Sequence, residues 1–165
     1  MEKDLIYDVG MNNGDDTAYY LFKGYRVVAI EADPDLVKNA RRRFEREIED
    51  RRLTLLNVAI GEDEDGVEFW ICDNKRVWNS LGRDMASRQG LPCHSIDLPS
   101  SRFRTVLDEY GVPHYLKVDI EGADRYCLND LDPADAPAYV SIVTRDPLIS
   151  DPPQPTRDRA ASSSG

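Results

Sequence analysis

The sequence predicts an α/β fold: a Rossmann-like, mostly parallel sheet with helices on both faces. Three observations predict it. The stretch from Leu5 to Asp33 reads as strand, glycine-bearing turn, helix, strand and an acidic end, which is the order of a nucleotide-binding half. The strand candidates Leu5-Ile6-Tyr7 and Val27 to Ile30 are short, continuous apolar runs and Leu53 to Val58 is a short, mainly apolar one, as expected of parallel strands buried on both faces. Between them stand segments with apolar residues at helical spacing.

Taken in order, the first strand breaks off at Asp8, and Gly10 and Gly14 supply a tight turn. Asp15, Asp16 and Thr17 offer N-cap chemistry to a helix through Phe22, which Gly24 closes. The next strand, Val27 to Ile30, ends on Glu31. That is about 20 residues beyond Gly10, where a dinucleotide or adenosine site places the carboxylate that accepts ribose hydroxyls. Because it stands at a strand end and not in the core, its loss is expected to spare the fold. The turn is G-x-N-x-G, and the adjacent Asp15 and Asp16 would repel a pyrophosphate. A ligand carrying an ammonium and a sulfonium tolerates carboxylates, so S-adenosylmethionine (SAM) fits better than NAD. The alternative is a doubly wound domain whose glycines only shape a turn.

Asp33 as N-cap with Pro34 at the first helical position starts a helix expected to run to about Asp50, with Leu36, Val37, Ala40, Phe44 and Ile48 on one face. Asn57, at the end of Leu53 to Val58, points toward the same edge as Gly10 and Glu31 if the three strands are parallel. Val67 to Ile71 alternates and suggests a hairpin appended to the core, and Cys93 to Leu98 is extended. Residues 73–92 read as a loop covering the pocket; Trp70 and Trp78 read first as core residues, with packing of Trp78 on the adenine or the acceptor as the alternative. Ser100 or Ser101 is expected to cap a helix with Phe103, Val106, Leu107 and Tyr110 inward and Gly111 at its end. His114 to Ile120 is a core strand, and a short helix with Ala123, Tyr126, Cys127 and Leu131 inward leads to a last strand, Tyr139 to Val143.

With 165 residues and 41% hydrophobic content, the chain builds one core, assigned to residues 1–145. Residues 146–165, rich in proline and serine, read as a disordered tail. A net charge of -10 opposes nucleic acid, and the arginines at 41–43, 51 and 52 alternate with acidic residues as on a solvated helix face. No apolar run approaches the ~20 residues of a membrane span, and Met1 to Asp4 begins no signal peptide. The 3 cysteines, Cys72, Cys93 and Cys127, are odd in number and widely spaced, with no zinc pattern. A reducing, cytoplasmic location is expected, without nucleic-acid or membrane partners.

Four motifs now stand together: Asp8-Val9-Gly10-x-Asn12-x-Gly14, Ala29-Ile30-Glu31-Ala32-Asp33-Pro34, Asn57-Val58-Ala59-Ile60-Gly61, and Leu116-Lys117-Val118-Asp119-Ile120-Glu121-Gly122-Ala123. On these the chain resembles the FkbM-type family of SAM-dependent methyltransferases over roughly Leu5 to Val143. The resemblance implies a class I methyltransferase sheet, SAM as methyl donor, and O-methylation of a small-molecule hydroxyl such as a sugar or polyketide. It implies donor binding by Asp8, Gly10, Asn12, Gly14, Thr17, Glu31, Ala32, Asn57, Ala59 and Asp119. Two departures stand out: Met11 replaces a small residue of the first motif, and two further strands expected after Tyr139 to Val143 are not readable. Methyl transfer is an in-line displacement, so the protein mainly orients its reactants, while a hydroxyl acceptor also needs a base. Asp119, at a strand's C-terminal end, is the first candidate base and Glu121 the second; a ligand-positioning role for Asp119 is the alternative. Lys117, inside the strand, is expected to form a salt bridge. His94 and His114 stand away from such ends. The competing function is a SAM-binding but catalytically incomplete domain acting as an interaction module. The open edge of Tyr139 to Val143 predicts a homodimer, cover by the tail, or aggregation.

Overall fold

A computed structural model describes residues 2–72, 79, 81, 83, 87, 92–120, 122–134 and 136–143. The expectations for Trp78, for Glu121 and for the tail lie outside the described residues. Five strands form a wholly parallel sheet: β1 (Glu2–Val9), β2 (Arg26–Ile30), β3 (Leu53–Leu56), β8 (Pro113–Val118) and β9 (Tyr139–Ile142). Their order, β3-β2-β1-β8-β9, starts in the middle, winds to one edge, and then crosses back to the other side of β1. This is Rossmann-like topology with its switch point between β1 and β8, where open α/β sheets bind ligands.

Alternate residues of the strands feed two cores, because side chains leave a strand on opposite faces in turn. On one face Val27, Ala29, Leu53 and Leu55 pack with Leu21 of α1 (Asp15–Phe22) and with Val37 and Ala40 of α2 (Pro34–Arg43). On the other, Tyr7, Val9, Val28, Leu116 and Val118 pack with Phe103, Val106 and Leu107 of α4 (Phe103–Tyr110) and Cys127 of α5 (Asp124–Asn129). Met11, the departure from the first motif, is buried in the α1–α2 core and belongs to its packing. The expected hairpin strand Val67–Cys72 (β5) pairs antiparallel with Cys93–Leu98 (β6) and adds a small apolar layer of Phe69, Ile71 and Leu98.

Several expected boundaries move. The N-cap of α1 is Gly14, in the left-handed region, and not an acidic or threonine side chain. The Asp33 helix does not run unbroken to Asp50. It ends at Arg43, and α3 (Glu45–Glu49) restarts after Phe44, whose ring is buried against Gly14. Neither Ser100 nor Ser101 caps α4: they form the short strand β7, paired with β4 (Ala59–Ile60), and Arg102 takes the cap position. The Ser100 hydroxyl instead closes the Gly61 to Gly66 turn, accepting from the Gly66 N–H and donating to the Asp63 carbonyl.

Candidate functional site

The turn after β1 is built around the next strand. The N–H groups of Gly10 and Met11 both donate to the Ile30 carbonyl at 2.9 and 3.1 Å, which folds the chain back over the end of β2. Gly10 has φ +81°, and a Cβ there would lie 2.0 Å from the Asp119 carbonyl oxygen. The Asp119 N–H in turn donates to the Val9 carbonyl. The first and fourth motifs therefore touch through backbone, and only glycine fits between them.

Glu31 closes the same turn from β2. One carboxylate oxygen accepts the Asn12 N–H at 2.8 Å and the other the Asp33 N–H at 2.9 Å. The side chain is buried, which corrects the reading that Glu31 stands outside the core. Burial pushes the Glu31 carboxyl up to about 7; the N–H groups of Asp33 and Asn12 offset part of that push. Asn57 reaches across from β3 and donates its amide to the Glu31 and Ala32 carbonyls, both at 3.0 Å. It shapes the end of β2 from behind. Asp33 caps α2 through the N–H groups of Asp35 and Leu36, while its other oxygen accepts from the Asn79 amide at 2.9 Å. Asn79 also accepts the Cys72 N–H at 2.9 Å, tying the end of β5 to the start of α2.

These contacts frame a cleft at the C-terminal ends of β1, β2 and β8. Of the predicted donor-binding residues it is lined by Gly10, Asn12, Glu31, Ala32, Ala59 and Asp119. Its remaining wall is mostly apolar, with Ile30, Leu36, Ile60, Phe69, Leu81 and Ile120. Four predicted residues stand outside the lining. Asp8 and Thr17 are fully buried beneath the turn, where the threonine hydroxyl donates to Asp8 at 2.6 Å. Gly14 packs on Phe44, and Asn57 spends its amide on backbone. Neither histidine lines the cleft. Asn79, Phe69 and Leu81 line it without having been singled out as donor-binding residues. The alternation of Val67 to Ile71 placed Phe69 on one face; nothing local marks Asn79, whose partner Asp33 is 46 positions away.

Beneath the turn, the Lys117 ammonium bridges Asp8 at 2.9 Å and Asp16 at 3.0 Å, as the salt-bridge reading expected. Burial works against its charge, but the two carboxylates outweigh it and raise the lysine above its ordinary value. Asp15 is held below the usual carboxylate range by hydrogen bonds from Arg43, at 2.8 Å, and from Asn13. Both helix-start carboxylates are therefore paired with cations. Their charge carries less weight against a phosphate ligand than the sequence alone gave it.

Among the described residues no group of three or more His, Cys, Asp and Glu side chains is placed to hold a metal ion, and no helix is long and apolar enough to cross a membrane. The crystal structure of methyltransferase FkbM from Methylobacillus flagellatus KT is similar at 19% identity and a TM-score of 0.48, over 78% of this chain and 28% of that one. This chain thus spans less than a third of that relative's length. No curated protein matches the chain. The family model of the methyltransferase FkbM domain matches residues 8–142, which takes in all four motifs and the C-terminal strand ends that frame the cleft. The chain belongs to the FkbM methyltransferase domain family.

Proposed function

We propose that the cleft binds SAM and that the domain transfers its methyl group to a small-molecule hydroxyl. The observation that carries this reading is Glu31. Glu31 lines the cleft, and its two carboxylate oxygens accept the Asn12 and Asp33 N–H groups; a carboxylate offers about four lone-pair sites, so acceptor capacity remains for a ribose hydroxyl. The apolar walls suit an adenine ring, and the turn at Gly10 brings backbone to the cleft where a side chain would not fit. These residues fit the adenosyl part of SAM.

When bound, SAM supplies a methyl group activated by the adjacent sulfonium. The chain's own task is to hold donor and acceptor in line, to exclude water, and to accept the hydroxyl proton. Asp119 lines the cleft just beyond β8 and is the carboxylate we assign to that proton; a positioning role for the same side chain would leave the base to the acceptor's surroundings. The test is transfer of labelled methyl from SAM to a panel of sugar and polyketide alcohols, with Asp119→Asn beside the wild type. Turnover lost in Asp119→Asn while donor affinity is kept supports the base. Donor binding with no turnover on any acceptor favours an interaction module in place of an enzyme.

A further inference from the structure

Cys72 and Cys93 stand directly opposite each other at the end of the β5–β6 pair where the chain passes from one strand to the other. Facing residues in an antiparallel pair either exchange both backbone hydrogen bonds or exchange none. The Cys72 N–H donates to the Asn79 side chain, so it is not given to Cys93. The pair is therefore of the second kind, in which the Cα atoms lie about 4.5 Å apart and the side chains approach most closely. A disulfide spans Cα separations of about 4.4–6.8 Å, so this pair can close without strand movement. Both thiols are free; Cys72 is fully buried and Cys93 partly exposed. The third cysteine, Cys127, is buried in the α4–α5 core, and burial pushes its thiol up, away from the reactive form.

We propose that Cys72 and Cys93 are a redox-modification site, a dithiol that closes reversibly to an intramolecular disulfide by exchange with a small-molecule disulfide of the glutathione class. Cys93, the accessible member, attacks as its thiolate one sulfur of the incoming disulfide, forming a mixed disulfide and expelling one thiolate. Cys72 then attacks as its thiolate the Cys93 sulfur, forming the Cys72–Cys93 bond and expelling the second. The two protein thiols are oxidised, the small disulfide is reduced to two thiols, and the two protons lost by the protein pass to the expelled thiolates. The site adjoins the cleft, since the Cys72 N–H and the Asp33 carboxylate share Asn79.

The test uses the native protein with oxidised glutathione, followed by alkylation, intact mass and peptide mapping. We expect the wild type to lose two alkylatable thiols, to retain no adduct, to yield a linked Cys72–Cys93 peptide, and to return to the dithiol with dithiothreitol. Cys72→Ser should instead accumulate a single glutathione adduct on Cys93, and Cys93→Ser should take up far less. A persistent adduct on wild-type Cys93, a bridge involving Cys127 or a second chain, or a native protein that does not react at all would overturn the assignment.

Discussion

At the scale of single residues, Glu31 carries the most chemistry, and its titration ties stability to binding. Its carboxyl is raised from 4.5 to about 7 by burial, so the native state holds a proton that the unfolded chain has released over that interval. Stability therefore falls as pH rises from about 4.5 to about 7 and is unaffected by this group outside the window, a span on the order of 3 kcal/mol. Urea midpoints across that range should show the decline, and Glu31→Gln should flatten it. Ribose hydroxyls donate best to the ionised form, so affinity for S-adenosylhomocysteine should run the other way, roughly tenfold weaker at pH 6 than at pH 8. Glu31→Ala should lose about 1.5–3 kcal/mol of donor binding and also destabilise the fold by about 1–3 kcal/mol, because the N–H groups of Asn12 and Asp33 lose their acceptor. Gly10 and Gly24 make a second test. Both have positive φ, but a Cβ at Gly10 meets the Asp119 carbonyl while one at Gly24 meets open space. Gly24→Ala should cost about 1–2 kcal/mol, and Gly10→Ala clearly more, by thermal or urea unfolding.

Among the elements, β8 and α1 are joined through Lys117. Asp8 is fully buried, so Lys117→Met leaves a carboxylate without its counter-charge and should cost about 3–5 kcal/mol; adding Asp8→Asn should restore part of that, as a double-mutant cycle would register. The elements themselves were largely legible. Short, mainly apolar runs marked β2 and β3, and Asp33-Pro34 marked the start of α2, because burial in the sheet and capping each leave a local trace. What was not legible depended on distant partners. Ser100 looked like a cap but is claimed by the Gly61 to Gly66 turn, and the break at Phe44 follows from a ring that must reach Gly14. In the site, Gly10, Glu31 and Asp119 were readable from their places at strand ends. Asp8 and Thr17 belong to a network beneath the cleft that only the packing of β8 on β1 reveals.

At the scale of the whole molecule, β9 is the edge strand of the sheet among the described residues. Among the described residues β9 pairs with β8 alone, and Tyr139, Val140 and Val143 are exposed. An apolar strand edge is a template for another strand, and we propose that it pairs with a second copy of the chain; a light-scattering mass above the monomer, reduced by Val140→Lys, supports this, and a stable monomer points instead to cover by the tail. The central claim is that this sheet holds SAM over the ends of β1, β2 and β8 with Glu31 as its anchor. Isothermal titration of S-adenosylhomocysteine into the wild type and into folded Glu31→Gln tests it most directly. One molecule bound per chain by the wild type and at least about tenfold weaker binding by Glu31→Gln is the predicted result. No heat at millimolar ligand, or equal affinity in the two proteins, would contradict it.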